Sequence, residues 1–450
     1  MKIAIIGAGW AGIAAAVRAT QLDHQVTVFE ASRMLGGRAR ALDANLPDGR
    51  AVRLDNGQHI LIGAYSETLK LMRDVGVNPE ETLLRLPLTL KFPDNTGLAL
   101  PNLNNLPNLP APLDALVGIF TARGWGLADR LSLLRQSLGW QLGRFTCPSD
   151  ATVAQLCQRL TPRILQELIE PLCVSALNTP AHQASGQVFL TVLRDSLFGG
   201  RGSSNLLLPK VDLTQLLPQA AAKWLVAHGG EIRLGSRVTT IEPVAKADTA
   251  LPFTWQVLGE SFEAVIVATS ASNVPEVPVN HQLFTIQTIA DKMRQWQQTA
   301  TALHYEAIAT VYAYAPGARL AHPMLALRAQ QGPAQFVFDR GQLGGPPGLL
   351  AFVVSASHDD RDALQAQVLI QAQAQLSLSL GMGQALQAVQ TVVEKRATFA
   401  CTPNLKRPPT QIAPGLLACG DYIEGPYPAT LEGAVRSGLA AARLLSPARL

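Results

Sequence analysis

Three glycines near the amino end, Gly7, Gly9 and Gly12, stand in the spacing G-x-G-x-x-G, and Glu30 closes the apolar run that follows. These types at this spacing can hold a dinucleotide. One glycine permits a tight turn, one lets backbone approach a pyrophosphate, and one lets a helix pack closely on a strand. The helix start offers free N–H groups to phosphate, Trp10 and Ala11 stand in the turn before it as further cofactor-binding candidates, and Glu30, followed by Ala31, can accept hydrogen bonds from a ribose.

The motif works only if the right elements carry it. Residues 1–6 form an apolar strand, 13–22 an Ala-rich helix and 25–29 a second strand, so strand, turn, helix, strand and acid occur in register. With 450 residues the chain has room for about two to three domains. Its composition, 48% apolar and 16% charged, is greasy. The longest apolar runs, such as 349–357 and 265–271, fall far short of the ~20 residues of a membrane span. Lys2 and the apolar run after it imitate a signal peptide, but cleavage there would destroy the glycine unit. A net charge of +4 argues against nucleic acid as a partner. Five cysteines without paired spacing read as reduced thiols of a cytosolic protein, with neither a zinc site nor disulfides.

Directly after Glu30 comes Ala31-Ser32-Arg33-Met34-Leu35-Gly36-Gly37-Arg38, which resembles the E-x-x-x-x-x-G-G-R extension of the FAD-dependent amine oxidase and carotenoid desaturase superfamily. The resemblance implies FAD, with Gly37 in a turn beneath the cofactor and Arg38 reaching its phosphates. Asn56-Gly57-Gln58-His59 resembles the segment that passes beside the flavin ring in the hydroxysqualene dehydroxylases, also called squalene-associated FAD-dependent desaturases, which would set His59 near the ring. Read as a lone residue, His59 is more simply a histidine satisfied by backbone. The same resemblance has the backbone of Val238 hold the adenine. Near the carboxyl end a strand closes on Gly420-Asp421, and Ala429-Thr430-Leu431 opens a helix. Gly420 lets backbone approach a cofactor, Asp421 can accept from ribityl hydroxyls, and the helix start can aim N–H groups at the flavin edge that turns negative on reduction.

The expected fold class is α/β, with two domains. One is a Rossmann-like FAD-binding domain, discontinuous and built of a parallel sheet with helices, from residues 1–75, 205–275 and 395–450. The other is an α+β substrate domain with an antiparallel sheet, from 76–204 and 276–394. Strands are expected at 308–314, 335–338 and 349–355, and helices at 66–75 capped by Ser66, 151–176 broken by Pro162 and Pro171, 212–228 capped by Asp212, and 362–380. Phe338-Asp339-Arg340-Gly341 is again similar to the dehydroxylases, although an acid–arginine pair in a turn is usually solvated.

Between 126 and 145, Leu127, Leu131, Leu134, Leu138, Leu142 and Phe145 repeat at helical spacing beside Arg130, Arg135 and Arg144. Such a helix ordinarily packs on the core. It can also rest on anionic lipid, which would make 103–145 a membrane-contacting part of a cytoplasmic protein peripheral on the inner face of its membrane.

The resemblance implies an FAD oxidoreductase acting on a polyisoprenoid by reductive dehydroxylation of hydroxysqualene to squalene in hopanoid biosynthesis, with an electron donor that the residues do not identify. His59 would supply a proton to the leaving hydroxyl. A carotenoid- or phytoene-type desaturase would run the flavin in the opposite direction. A flavin amine oxidase fits less well, because Ala429-Thr430-Leu431 stands where such enzymes place an aromatic wall around the amine. A non-catalytic prenyl-binding carrier of the same fold would not need the complete flavin motif set.

Overall fold

The computed structural model describes residues 1–101, 113–245, 253–277, 284–357, 360–377 and 385–445. The strands that matter below are β1 (Lys2–Ile6), β2 (Gln25–Glu30), β3 (Glu231–Leu234), β4 (Ala264–Val267), β5 (Tyr305–Tyr314), β6 (Met324–Ala326), β7 (Phe336–Asp339), β8 (Leu349–Ser355), β9 (Gln387–Phe399), β10 (Gln411–Ala413) and β11 (Leu416–Ala418). The helices are α1 (Trp10–Gln21), α2 (Ser66–Asp74), α3 (Leu113–Thr121), α4 (Leu127–Leu142), α5 (Gly186–Phe198) and α6 (Leu431–Arg443).

A six-stranded sheet in the order β3-β2-β1-β4-β11-β10 draws its strands from three distant stretches of the chain. Its neighbours run parallel except for β10, which is antiparallel to β11. Every residue of β4 is buried, as a strand covered on both faces requires. Chain reversal beyond β1 falls at the strand ends where open α/β sheets bind ligands. Helix α1 begins at Trp10 rather than at Ile13, because Gly9 is extended and the helix follows it at once.

The second sheet, in the order β6-β7-β8-β5-β9, is antiparallel throughout. It claims residues 395–399, which were expected in the nucleotide domain: Phe399 pairs with Tyr305 at the end of β9. The chain therefore crosses back only after this strand.

Several local expectations are corrected by packing. Ser66 is the first helical residue of α2 and caps nothing; Tyr65 occupies the cap position. The cap is supplied from the far end of the chain, since the buried Glu432 carboxylate accepts from Glu67 N at 3.1 Å, Thr68 N at 2.9 Å and Thr68 Oγ1 at 2.7 Å. Asp212 does cap a helix, accepting from Gln215 N at 2.9 Å, but that helix ends at Leu216 and a second one starts at Pro218. Proline has no N–H to continue the ladder. In the 151–176 stretch Pro162 opens a helix, and a π-helical turn at Leu165–Ile169 runs into the helix that holds Pro171, a wider turn of the kind that absorbs a missing donor. The helix expected over 362–380 is Arg361–Leu376, and residues 378–380 lie outside the described set.

Helix α4 shows the largest difference. Four leucines of the stripe identified by spacing face outward, with Leu127 70%, Leu131 54%, Leu138 56% and Leu142 77% exposed, while Leu134 packs against the core. Leu133 and Trp140 are buried instead, and Phe145, beyond the helix, packs on Phe198 with ring centroids 5.0 Å apart. A repeat reveals that a stripe exists but not which side of it meets the core.

Helices α1 and α6 lie backbone to backbone. A Cβ on Gly438 would collide with the Ala11 carbonyl oxygen and sit 2.9 Å from Ala15 N. Gly438→Val should therefore cost roughly 1–3 kcal/mol of stability. Gly139→Ala, in α4 with nothing within 4 Å of its added carbon, should be neutral or stabilising. Thermal denaturation of the two variants checks the contrast; equal melting would refute the close packing.

Candidate active site

The glycine turn has the geometry that its residue types require. Gly7 takes φ +114°, where an added Cβ would lie 2.7 Å from Ala268 O, and one on Gly12 would strike the Gly7 carbonyl. Glu30 orders the loops beside it, accepting from Ala8 N at 2.7 Å and Ser32 N at 2.8 Å. Helix α1 starts with neither a side-chain cap nor an acid in its first turn, so Trp10, Ala11 and their neighbours leave a positive helix end toward the cavity. Trp10 is anchored from behind by its indole N–H on Ala39 O at 3.1 Å.

The second glycine pair comes to rest on the first. Gly36 N donates to Ala8 O at 3.0 Å. Gly37, at φ +61°, has room for a Cβ only 3.2 Å from Gly9 Cα. Arg38, expected to reach phosphate, directs its guanidinium to Asp421 in a close ion pair and to the carbonyl of Ala397 at 2.6 Å. Asp421, expected to serve ribityl hydroxyls, is thereby joined to the amino-terminal motif. Asn56 fixes the intervening chain, its Oδ1 accepting from Arg40 N at 3.0 Å and its amide donating to Arg38 O. Just before it, burial pushes the Asp55 carboxyl up to about 6, although the carboxylate accepts from Leu213 N at 2.8 Å.

Gln58 and His59 sit where the sheets meet. His59 Nδ1 lies 2.7 Å from the Gly57 carbonyl oxygen; since a carbonyl can only accept, Nδ1 carries the hydrogen and Nε2 has the lone pair. Burial, with the Arg38 charge adding to it, holds the imidazole pKa below its ordinary value, whereas the bond to Gly57 works the other way. In its neutral tautomer the ring presents Nε2 as an acceptor, whereas the role expected of it is that of a proton donor. Gln58 N–H groups reach His59 O at 3.3 Å, and Gln58 Oε1 accepts from Arg340 at 3.2 Å. Asp339 and Arg340, expected to be solvated, are 2% and 6% exposed. Asp339 accepts from Leu320 N and Gln342, and Arg340 is spent on Gln58.

At the carboxyl end Thr430 caps α6, accepting from Gly433 N at 2.9 Å, and Ala429 takes a left-handed φ of +58° to turn the chain into it. Gly420 N donates to Ser437 Oγ at 3.1 Å. Gly7, Gly9, Trp10, Ala11, Glu30, Ala31, Gly37, Arg38, Asn56, Gly57, Gln58, His59, Val238, Gly420, Asp421, Ala429, Thr430 and Leu431 all line one cavity of about 1080 Å³; Gly12 lies behind it in the α1 packing. Away from the motifs the wall is apolar, including Leu133, Leu168, Phe189, Leu193, Met324 and Phe336. Spacing did not reveal Glu432, or Tyr427, whose hydroxyl donates to Asp195 at 2.7 Å on this wall. Each is an unremarkable type in its local sequence and gains meaning only from a partner hundreds of positions away.

The cavity fits FAD. Thr269 Oγ1 is buried on its wall and finds no hydrogen-bond partner among the described residues, and the Gly9–Gly37 contact leaves a cradle free of side chains under the α1 N-terminus. The profile of the family described as flavin containing amine oxidoreductase matches residues 10–446.

The chain belongs to that family. It is an FAD-dependent oxidoreductase. Two curated relatives are similar from end to end: hydroxysqualene dehydroxylase from Rhodopseudomonas palustris, 28% identical over 98% of this chain and 97% of the relative, and hydroxysqualene dehydroxylase from Zymomonas mobilis, 26% identical over 98% of each. Among solved structures, an oxidoreductase from Methanosarcina mazei superposes with a TM-score of 0.68 at 16% identity, covering 98% of this chain and all of that one. Its likeness is one of fold.

Asp421→Ala should leave the Arg38 guanidinium without its anion and weaken FAD retention by about tenfold or more, taking roughly 1.4 kcal/mol per tenfold. Flavin absorbance per chain after gel filtration measures this; full retention would show that the ion pair does not support the site.

Proposed function

We propose that this oxidoreductase acts on a polyisoprenoid and carries out the reductive dehydroxylation of hydroxysqualene to squalene in hopanoid biosynthesis. The observation that carries the reading is the continuity of an apolar cavity with the flavin-binding motifs. The end-to-end similarity to hydroxysqualene dehydroxylases adds to it. Ala429, Thr430 and Leu431, at the flavin end of the cavity, put no aromatic ring at the positions where an amine oxidase sets one wall of its amine cage.

When bound and reduced, FAD would supply both the hydride that takes the place of the hydroxyl on an allylic carbon and the proton with which that hydroxyl leaves as water, and a separate two-electron donor would restore the reduced cofactor. The protein's part is positional and dielectric. Apolar walls exclude water, which strengthens each remaining polar contact. His59 Nε2 accepts from the substrate hydroxyl and fixes its direction, and the Arg340–Gln58 bridge holds the backbone of His59 in place. Because a long hydrocarbon substrate resides in bilayers, the reading also takes the outward leucines of α4 as a peripheral contact with the inner face of the cytoplasmic membrane. No described helix is long and apolar enough to cross a membrane.

Holoenzyme under anaerobic reducing conditions should convert hydroxysqualene to squalene; dehydrogenation of a saturated polyisoprenoid bond by the oxidised enzyme, without that conversion, would replace this reading with a desaturase. His59→Ala should keep FAD and lose roughly tenfold or more in kcat/KM. Since the imidazole acts while neutral and its pKa is lowered, wild-type kcat/KM should fall only at a pH below the ordinary histidine range. His59→Gln should flatten that acid limb. Full turnover by His59→Ala with FAD bound would remove the residue from the site.

A further inference from the structure

Beside the outward face of α3 and α4 lies a second recess, of about 490 Å³, into which Lys91, Arg123 and His322 converge with Asn95 and Thr121. No carboxylate is among its lining residues. The nearest acid on the same hairpin, Asp94, is already committed to Arg328 at 2.7 Å and to Thr96 Oγ1 at 2.6 Å. We propose that this recess binds the phosphate of an anionic phospholipid and thereby sets the angle at which α3 and α4 meet the bilayer. The proposal rests on the peripheral membrane contact described above.

The recess is built on fixed backbone. Its floor is the hairpin of Thr89–Lys91 and Gly97–Ala99, and Gly97 exchanges two backbone hydrogen bonds with Arg123, at 3.0 and 3.2 Å. This clamps the residue that joins α3 to α4. Arg130 secures the same junction by donating to Ala122 O at 3.0 Å. Lys91 Nζ donates to His322 Nε2 at 3.4 Å. Burial and the neighbouring ammonium both lower the pKa of the His322 ring. An arriving phosphate offers charge-assisted acceptors to Lys91 and Arg123 and favours a third charge on His322.

The surroundings favour lipid over a soluble phosphate or a protein partner. Phe120, adjacent to the lining residue Thr121, is 54% exposed, and Val117 one turn earlier is 36% exposed. Beyond Arg123 the four outward leucines of α4 continue the face, with Arg135 and Arg144 exposed along it. Apolar groups flanked by cations suit the boundary between acyl chains and phosphates. The inner side of the same two helices is the cavity wall, through Leu116, Ile119, Leu134 and Ser137. Leu138 belongs to both, being 56% exposed and on the cavity lining. A phosphate seated at Arg123 would hold this shared edge against the bilayer.

The test is flotation of FAD-loaded protein with phosphatidylcholine vesicles made equally negative by phosphatidylglycerol or by oleate. Wild type should prefer phosphatidylglycerol. Lys91→Gln with Arg123→Gln should lose that preference and bind about tenfold or more weakly, at about fivefold per cation, while keeping its turnover of detergent-dispersed substrate. The matched loss of two charges, Arg135→Gln with Arg144→Gln, should weaken binding to both vesicles and keep the preference. If both double variants behave alike, the recess is only part of a diffuse charge and the proposal fails while membrane contact survives. If wild type floats with neither vesicle, membrane contact itself fails, and sedimentation then asks whether the face is covered by a second copy. Saturable binding of glycerol phosphate without vesicles, abolished by Lys91→Gln with Arg123→Gln, would assign the recess to a soluble phosphate instead and overturn the lipid assignment.

Discussion

The architecture depends on one constraint: the two ends of the chain must close on each other. The buried Glu432 carboxylate completes the first turn of α2, and Arg436 at Nε supports it from within α6. Gly438 lets α6 lie directly on α1, and Arg38 meets Asp421 across the same seam. A carboxylate removed from water is tolerated only when its oxygens are fully engaged, and here the engagement comes from backbone N–H groups that would otherwise be orphaned at a helix start. Each side resolves a polar problem of the other. The nucleotide cradle is a by-product of that closure, since Gly9, Gly37 and Gly420 stand around the space it leaves.

Built on that seam, the antiparallel sheet and its helices form an oily extension of the cradle. The two units meet at Asn56 to His59, where Arg340 from beyond β7 reaches back to Gln58. A group presented at this junction is near both the polar nucleotide end and the apolar wall. The dry surroundings lower the pKa of His59 and give a single hydrogen bond more directional weight than it would have in water.

Much of this was legible in the residues. Gly7, Gly9 and Gly12 act through backbone geometry and close approach, which only glycine allows, and the Glu30 carboxylate acts on its own neighbouring loops, so their spacing is informative without a distant partner. Gly420-Asp421 before a helix start marked the other end of the seam, although the pairing of Asp421 with Arg38 was not legible there. What could not be read was anything decided by a distant partner. Ser66 has every local qualification of a cap, yet Glu432 takes that place. Residues 395–399 look like an independent strand until Tyr305 is seen to extend their pairing. The α4 repeat was found, but its direction was set by Trp140 and Leu133, bulky groups that take the core and leave Leu127, Leu131, Leu138 and Leu142 outward. Asp339 and Arg340 form a familiar surface pair by type, and only burial shows them working inward.

The Glu432 cap has a consequence for biosynthesis. While the ribosome is still translating the stretch before α6, the emerging polypeptide possesses its glycine turn and its first parallel strands, but α2 has an open start and α1 an uncovered flank. The nascent molecule therefore lacks a closed cradle until α6 has emerged and docked, which ties capture of the vitamin-derived coenzyme to the synthesis of that helix instead of to that of the glycine turn.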